Sequence, residues 1–588
     1  MAGESEKRDP DTVASVSSDT ASIEKTAGVS KIEGVTLAWS AKGLWIAWAG
    51  IMLLAVAISL DSQTIYAFQP YATSTFGAHS LLATIGTVQN IMYAVTKPPV
   101  AKIADVFGRF EAFTVSIFLI TLGFILEATS NNIGAFAAAQ IFYVAGQVGI
   151  QFMQQIFAAD TTNLKWRALY NALPLSPFLF TTWAGGPIVE RILRDNNWRW
   201  GYGMYAIIVP ICAIPLLISL GYHQRKAAKA GVISNKDQNS SLLRNPAALL
   251  TQLDLFGLLL FTAGLTLVLL PMTLAARFPD KWSSPHIIVM LVVGVVCLIA
   301  FPVWEVKFAK SPILSLELLK NPTVLGGSGV VFFAFCSFYI YQPYYYSYLV
   351  VARGHSFQAA TNIVLASSFA STASGVLIAF VVKYTGNYKW VVLGGICIKI
   401  IGGGLMVKYR NIDSSIAQLV IGQVILGIGT GFLNVVAVGV QAAVKHKDVA
   451  SVTAILATGY SVGGAVGDSI SGGIWTNLLP GKLEQHLPIS AHSHITSIKD
   501  NFMAAAAFAW GSPERDAINR AYDDVMRIML IVALVLLFVP LALIAICQNI
   551  DLDAADAKND YGGVVIGNSS GRRSGAPVDR DRETTGES

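Results

Sequence analysis

The sequence predicts an all-α polytopic membrane protein. About fourteen transmembrane helices are expected, in two six-helix halves plus a two-helix insert. Three observations predict this. Of the 588 residues, 54% are hydrophobic and only 13% charged, a charge content below that of soluble domains. The apolar residues come in blocks of roughly twenty, the helix length that crosses about 30 Å of hydrocarbon. Lipid offers the backbone no hydrogen-bond partner, so runs this long and apolar must close on themselves as helices.

Taken in order, the spans are expected near 44–71, 80–101, 110–129, 134–156, 167–190, 200–222, 253–274, 286–306, 323–350, 357–383, 388–409, 414–443, 450–476 and 524–547. Residues 1–43 and 548–588 are rich in Ser, Asp, Gly and charge, and are expected as disordered cytoplasmic tails. The N-terminal stretch has no apolar core of the kind a cleavable signal needs. Residues 44–222 form the first half. A polar, basic cytoplasmic linker covers 223–252, and the two-helix insert 253–306 follows. Residues 307–547 form the second half, with a long outer loop at 477–523. Paired halves of this kind are a transporter architecture, with the binding site at their interface.

Orientation follows from the placement of Lys and Arg. With both termini cytoplasmic, the inner turns carry Lys102, Arg109, Arg225, Lys226, Lys307, Lys389 and others. The outer short turns hold about half as many, among them Arg191, Arg194, Lys281 and Arg353. The five cysteines all fall inside apolar blocks and read as small packing residues. No Cys-x-x-Cys or zinc spacing occurs, and His492 with His494 reads as surface polarity rather than a metal pair. No nucleophile elbow, phosphate loop or paired catalytic carboxylates stand out, so an enzyme is not expected. A nucleic-acid partner is not expected either.

Ionisable residues inside spans are costly and usually face protein or water. Asp61, in the outer half of the first span, has two readings: a proton-coupling carboxylate, or a structural group paired to a neighbour. Asp468 sits among glycines and reads as part of a tight helix contact. Glu127, Glu190, Glu305 and Lys97 lie near helix ends, where snorkelling accounts for them. Lys399 is mid-span and would neutralise a buried carboxylate or an anionic ligand group, or serve packing.

Gln140, Gln147, Gln151 and Gln154 recur at helical spacing on one face of the fourth span, flanked by Tyr143. Gln423, Asn434 and Gln441 do the same in the twelfth. These faces suit a water-lined cavity; interhelical hydrogen bonding would use the same residues. Phe338, Tyr341, Gln342 and Tyr345 share a face of the ninth span. They read as either an interfacial aromatic belt or an aromatic vestibule. The expected cavity is bounded by spans one, four, nine and twelve.

The turn Lys97–Arg109 (KPPVAKIADVFGR) joins the second and third spans. With Asp105, Gly108 and Arg109 it resembles the signature loop of the major facilitator superfamily, departing from it at Ala101 and Phe110. Further segments are similar to the fungal siderophore–iron transporters within that superfamily: LDSQTIY at Leu60–Tyr66, FAADTTNLKWR at Phe157–Arg167, WAGGP at Trp183–Pro187, NWRWGYGM at Asn197–Met204, and GSPERDAINRAY at Gly511–Tyr522. The resemblance covers roughly residues 44–547. It implies the major facilitator fold and import of ferric siderophores by proton symport. The chelate is expected to be of hydroxamate type, its iron staying chelated, so that no protein metal site or other cofactor is needed. It also implies Asp61 as the proton site, Asp105, Gly108 and Arg109 as gating residues, and Arg515, Arg520 and Tyr522 as outer-loop residues that capture ligand. A solvated loop helix is the other reading for the two arginines. The expected partners are the siderophore, protons and lipid. A monomer in the plasma membrane or in endosomal vesicles is expected. The alternatives are a proton-coupled drug exporter, or a haem or glutathione carrier of the same family.

Overall fold

The computed structural model describes residues 41–161, 170, 173–229, 254–275, 278, 280–309, 316–410, 414–444 and 448–550. The expected tails, apart from their innermost few residues, and the linker from 230 to 252 lie outside the described residues. The first half contains α1 (Ala41–Thr75), α2 (Leu82–Val95), α3 (Lys97–Val106), α4 (Arg109–Thr129), α5 (Ile133–Thr161), α6 (Phe178–Arg194) and α7 (Trp198–Lys229). The insert is α8 (Leu255–Leu269), the single turn α9 (Pro271–Leu274) and α10 (Pro285–Lys307). The second half contains α11 (Pro322–Val351), α12 (Phe357–Thr385), α13 (Tyr388–Lys408), α14 (Ile416–Leu433), α15 (Val436–Ala442), α16 (Val449–His486), α17 (Ile495–Asp500), α18 (Phe502–Ala506), α19 (Pro513–Leu536) and α20 (Val539–Ile546).

Eleven of the described helical segments are long and apolar enough to cross a membrane. The expected count of fourteen is therefore not reached by this measure. The second span is split into α2 and α3, where Pro98 and Pro99 lack the N–H groups that would continue the ladder. The fifth, α6, is 17 residues long. The thirteenth, α16, carries glycines, serines and Asp468 through its middle.

Helix starts follow local chemistry. The side chains of Asn321, Ser356, Ser415 and Ser512 each accept a backbone N–H in the first turn of the helix that follows. Ser415 and Gln418 complete a capping box. Gly108, at φ 116, caps α4 in a conformation open to glycine and strained for other residues, which explains its place in the turn motif.

Within the first half α4 packs on α5, and α1 on α7. Within the second, α11 packs on α16 and α12 on α14. The halves meet where α6 lies on α12 and α2 on α16. Within the second half, a side chain at Gly463 or Gly467 would collide with the backbone of α11 at Phe332 or Cys336, so the α11–α16 contact requires the small residues. The insert docks on α2 and α16. There Phe261, Leu265, Leu269 and Phe301 bury against Ile91, Ala94, Val95 and Ala465.

The outer stretch expected as loop 477–523 is largely helix. α16 runs on to His486, α17 and α18 fill the middle, and α19 begins at Pro513. Arg515 holds this cap together. Its guanidinium donates to the carbonyls of Ala505 (3.0 Å), Ala506, Phe508 (3.2 Å) and Val351 (2.8 Å), and to Asn519 Oδ1 (3.2 Å). It also lies over the Trp510 ring. Arg515 and Tyr522 are buried and Arg520 is exposed. The first two therefore serve the cap's interior rather than a ligand-facing surface.

Removing Arg515 strands several carbonyls. Arg515→Ala is expected to lower stability by about 3 kcal/mol, and to speed proteolysis between 487 and 512. Arg520→Ala should stay within about 0.5 kcal/mol of the parent. Thermal unfolding of the purified full chain in detergent, followed by limited proteolysis, checks both.

Candidate functional site

The run Asp61-Ser-Gln-Thr64 turns polar side chains from α1 into its own half. Asp61 is buried, and the Tyr143 hydroxyl on α5 donates to its Oδ2 at 2.6 Å. One turn further along α5, Gln147 accepts from Tyr93 and donates to Ser62 Oγ at 3.2 Å. One turn back, Gln140 donates to Glu127 Oε1 at 2.8 Å and accepts from Gln89 at 2.7 Å. Gln63 donates to Thr182 on α6 at 2.6 Å. An amide can donate and accept at once, so these groups form a connected polar interior. Two carboxylates, Asp61 and Glu127, sit in it, and neither forms an ion pair among the described residues.

A cavity of about 230 Å³ lies beside this network, against the second half. Tyr66 of α1 forms one wall. Phe335, Phe338, Tyr339, Tyr341 and Gln342 of α11 form another. Ser367, Ser368, Ser371 and Thr372 of α12, Lys399 of α13, and Leu426 and Thr430 of α14 close it. The Lys399 ammonium donates to Thr430 Oγ1 at 2.9 Å. The Tyr341 hydroxyl and Gln342 Oε1 are buried and have no hydrogen-bond partner. Polar walls with unspent donors and acceptors, broken by aromatic faces, suit a ligand that is oxygen-rich and partly apolar.

The structure therefore brings Phe338, Tyr341 and Gln342 together, as the shared face on α11 implied. It does not bring the expected glutamines to them. Gln140, Tyr143 and Gln147 make the interhelical bonds described above, and Gln151 is half-buried on α5; none lines this cavity. Tyr345 packs toward Met406, with its hydroxyl 3.8 Å from the sulfur, and Gln423 approaches the same sulfur at 3.7 Å. Asn434 is exposed at the break between α14 and α15, and Gln441 donates to Thr453 at 2.8 Å. The bounding spans are the first, ninth, tenth, eleventh and twelfth rather than one, four, nine and twelve. The serine ladder on α12 is not among the expected site residues, although its spacing over 367–372 is readable in the sequence. Glu127, expected to snorkel, is fully buried. His355, His492 and His494 lie away from the cavity.

At the inner end, Arg109 donates to Asp160 Oδ2 at 2.9 Å and to the Ala104 carbonyl at 2.7 Å, tying the motif turn to α5. Asp105 lies in α3; its side chain lies outside the described residues. At the outer end the halves are joined. Ser80 donates to Asp500 Oδ1 (2.5 Å), the Tyr344 hydroxyl to the Ser80 carbonyl (2.8 Å), and Gln358 N to Glu190 Oε2 (3.1 Å). Deeper in, Asn90 donates to Asp468 Oδ2 at 2.8 Å.

Two helical halves enclosing a polar cavity, joined at one end, define a secondary-transporter fold. The Major Facilitator Superfamily model matches residues 51–316. Siderophore iron transporter mirC of Emericella nidulans is 44% identical over 541 residues, 91% of this chain and 89% of its own. MFS siderochrome iron transporter C of Aspergillus fumigatus is 44% identical over 90% of this chain and 88% of its own. Siderophore iron transporter 1 of Schizosaccharomyces pombe is 36% identical over 87% and 83%. Among solved structures, a bacterial homologue of the human lysosomal transporter Spinster, inward-facing and occupied, superposes with a TM-score of 0.53 at 16% identity, over 87% of this chain and 97% of that one. The peptide transporter POT in complex with sulfate gives 0.54 at 13%, over 86% and 96%. The chain belongs to the fungal siderophore iron transporter family of the major facilitator superfamily.

The outer seam carries one titratable ring. His79, between α1 and α2, is enclosed by Tyr344, Trp475 and Phe502, with Nε2 3.1 Å from Ser347 Oγ. Asp500 and Lys499 are charged neighbours on α17. Burial pushes the imidazole from 6.5 down to about 3. The opened or unfolded chain thus takes up this proton more readily than the closed seam. His79's contribution is full above about pH 6.5 and is lost as pH falls toward 3. Thermal stability of the purified chain should drop between pH 7 and 5, and His79→Phe should flatten that slope. An unchanged slope in the variant would assign the loss to other groups.

Proposed function

We propose that this chain imports ferric siderophores of the hydroxamate class by alternating access, drawing on proton movement through Asp61. It works as a monomer in the plasma membrane or an endosomal membrane, with both termini cytoplasmic. The observation that carries this reading is the placement of Asp61 and Tyr66 on one helix. Asp61 faces the enclosed network of the first half, and Tyr66 faces the cavity of the second. A change in the charge of Asp61 thus acts on the helix that forms a cavity wall.

An ionised Asp at mid-membrane costs about 2.5–3.5 kcal/mol on insertion scales. With Tyr143 as its hydrogen-bond donor and no cation in ion-pair range among the described residues, Asp61 has reason to take a proton before it moves. The names of the relatives supply the ligand class, and the cavity is compatible with it. A hydroxamate chelate shows carbonyls, amides and apolar patches around its iron. Amide, hydroxyl and aromatic groups hold such a surface without touching the metal. At about 230 Å³ the cavity is smaller than the roughly 300–1,000 Å³ typical of ligand pockets. The joined outer ends and this small volume describe a state that must part to admit a chelate.

Asp61→Asn keeps the size of the side chain and removes its charge change. Gradient-driven uptake of a labelled ferric trihydroxamate should fall at least about tenfold, as expected for loss of a single essential proton carrier. Exchange of external for internal chelate should persist, since it needs no net proton movement. The assay is uptake into cells lacking their own carriers, with and without a protonophore. Gradient-driven uptake by the variant at the parent rate would exclude Asp61 as the coupling group.

A further inference from the structure

Lys399 lies in the middle of α13 and is buried, at 3% exposure. Its stem packs against Gly429, where any side chain would displace it, and its amine reaches the cavity. There it donates to a neutral hydroxyl, Thr430 Oγ1. Among the described residues no carboxylate comes within ion-pair range of it, and the buried acids Asp61, Glu127 and Asp468 are held by other partners. A cation kept inside a membrane protein without a counter-ion is costly. One remaining donor on the opposite wall, the Tyr341 hydroxyl, is equally unspent. An ammonium has three donors, so two stay available to a ligand.

We propose that Lys399, with Tyr341 across the cavity, forms a subsite for an anionic oxygen group on the transported chelate, such as a free carboxylate. The subsite makes this carrier discriminate among ferric siderophores by charge. The inference rests on the reading of the chain as a siderophore importer and adds a selection rule to it. The neighbouring hydroxyls sharpen the rule. Ser367 and Thr372 donate into their own helix at Val364 and Ser368 carbonyls, which leaves their oxygens as acceptors toward the cavity. Those acceptors suit amide N–H groups and repel anions. At these two positions an anion is disfavoured, and the Lys399 end is where it is favoured.

A matched pair of probes tests this: one linear ferric trihydroxamate capped at its terminal amine by acetyl, which is neutral, or by succinyl, which carries a carboxylate. A ferric tricatecholate, anionic at the chelate itself, is the third probe. Uptake kinetics are measured for the full chain and for Lys399→Met, Lys399→Arg and Thr430→Val, with surface expression quantified. The parent is expected to take up the succinyl probe with lower half-saturation than the acetyl probe. Lys399→Met should raise the half-saturation for an anionic probe at least about tenfold, and that for the acetyl probe by less than about threefold, as loss of a desolvated charge pair implies. Lys399→Arg should retain most of the preference, and Thr430→Val should weaken it in the same direction. A Lys399-dependent gain for the tricatecholate alone would place the recognised charge on the chelate, and for the succinyl probe alone on the carboxylate; either supports the subsite. Equal changes for neutral and anionic probes, or none for any, overturn it while leaving the importer reading intact. Uptake of no probe by the well-expressed parent would remove the importer reading, and the inference with it.

Discussion

A charge in hydrocarbon must be enclosed, paired or neutralised, and the first half of this protein is organised by that constraint. Asp61 and Glu127 are enclosed in it without cations. What surrounds them is a set of neutral groups that both give and accept: Tyr143, Gln140, Gln147, Gln89, Tyr93 and Ser62. A lysine in place of one amide would pair a carboxylate permanently. An amide leaves its protonation open while satisfying whichever form is present. One Glu127 oxygen accepts from Gln140, and the other has no hydrogen-bond partner.

The second half answers a different requirement. Its helices are rich in serine and glycine, side chains small enough to leave space, and its cation, Lys399, borders that space. Asp61 and Glu127 lie in the other half from the lysine, and Asp468 in its own half is held by Asn90, so no direct pairing among the described residues cancels them. The link between them is α1. Asp61 and Tyr66 are five residues apart, about 7.5 Å along a helix axis. A shift or turn of α1 that follows a change at Asp61 therefore reaches the cavity wall without a chain of intermediaries.

How much of this was legible in the sequence depended on the range of the interaction concerned. Lipid imposes a length on every span, so most helix positions could be read within several residues, whereas the start of α6, the end of α16 and the start of α19 lie about ten residues from the expected bounds. The turn at Gly108 and Arg109 is local chemistry and was readable too. Periodicity showed that Gln140 and Gln147 share a face but not what that face meets, because a water-lined wall and an interhelical network use the same amides. Glu127 departs from the expectation because distance from a helix end says nothing of the neighbour that covers it; here a hydrogen-bonding neighbour is Gln140. Arg515 looked like a loop cation because its acceptors, the carbonyls of Ala505 and Val351, are set by tertiary packing. Asn434 fitted a stripe on an unbroken helix, whereas the helix breaks there and leaves Asn434 exposed beside Gly375 of α12.

The contacts joining the outer ends show why such a molecule can change state. Among the described residues they include Ser80 to Asp500, Tyr344 to the Ser80 carbonyl, His79 to Ser347, Phe502 N to Ser74, Gln358 to Glu190, Thr87 to Ser469 and Asn90 to Asp468, each individually modest. Each contributes about 0.5–1.5 kcal/mol net, with those to carboxylates reaching about 3 kcal/mol. Their sum is of the order of the roughly 8 kcal/mol that a micromolar ligand contributes on binding. The cap itself need not come apart, because Arg515 fastens it to the second half by bonds that stay within that half. What must part is the row of bonds to the first half, with the ring contacts of Tyr71 and His79 on Phe357, Phe502 and Tyr344. A seam much stronger than ligand binding would lock the carrier shut, and a much weaker one would leak. Small residues such as Gly86 and Gly464 let the halves close tightly without adding side-chain contacts that would have to be undone.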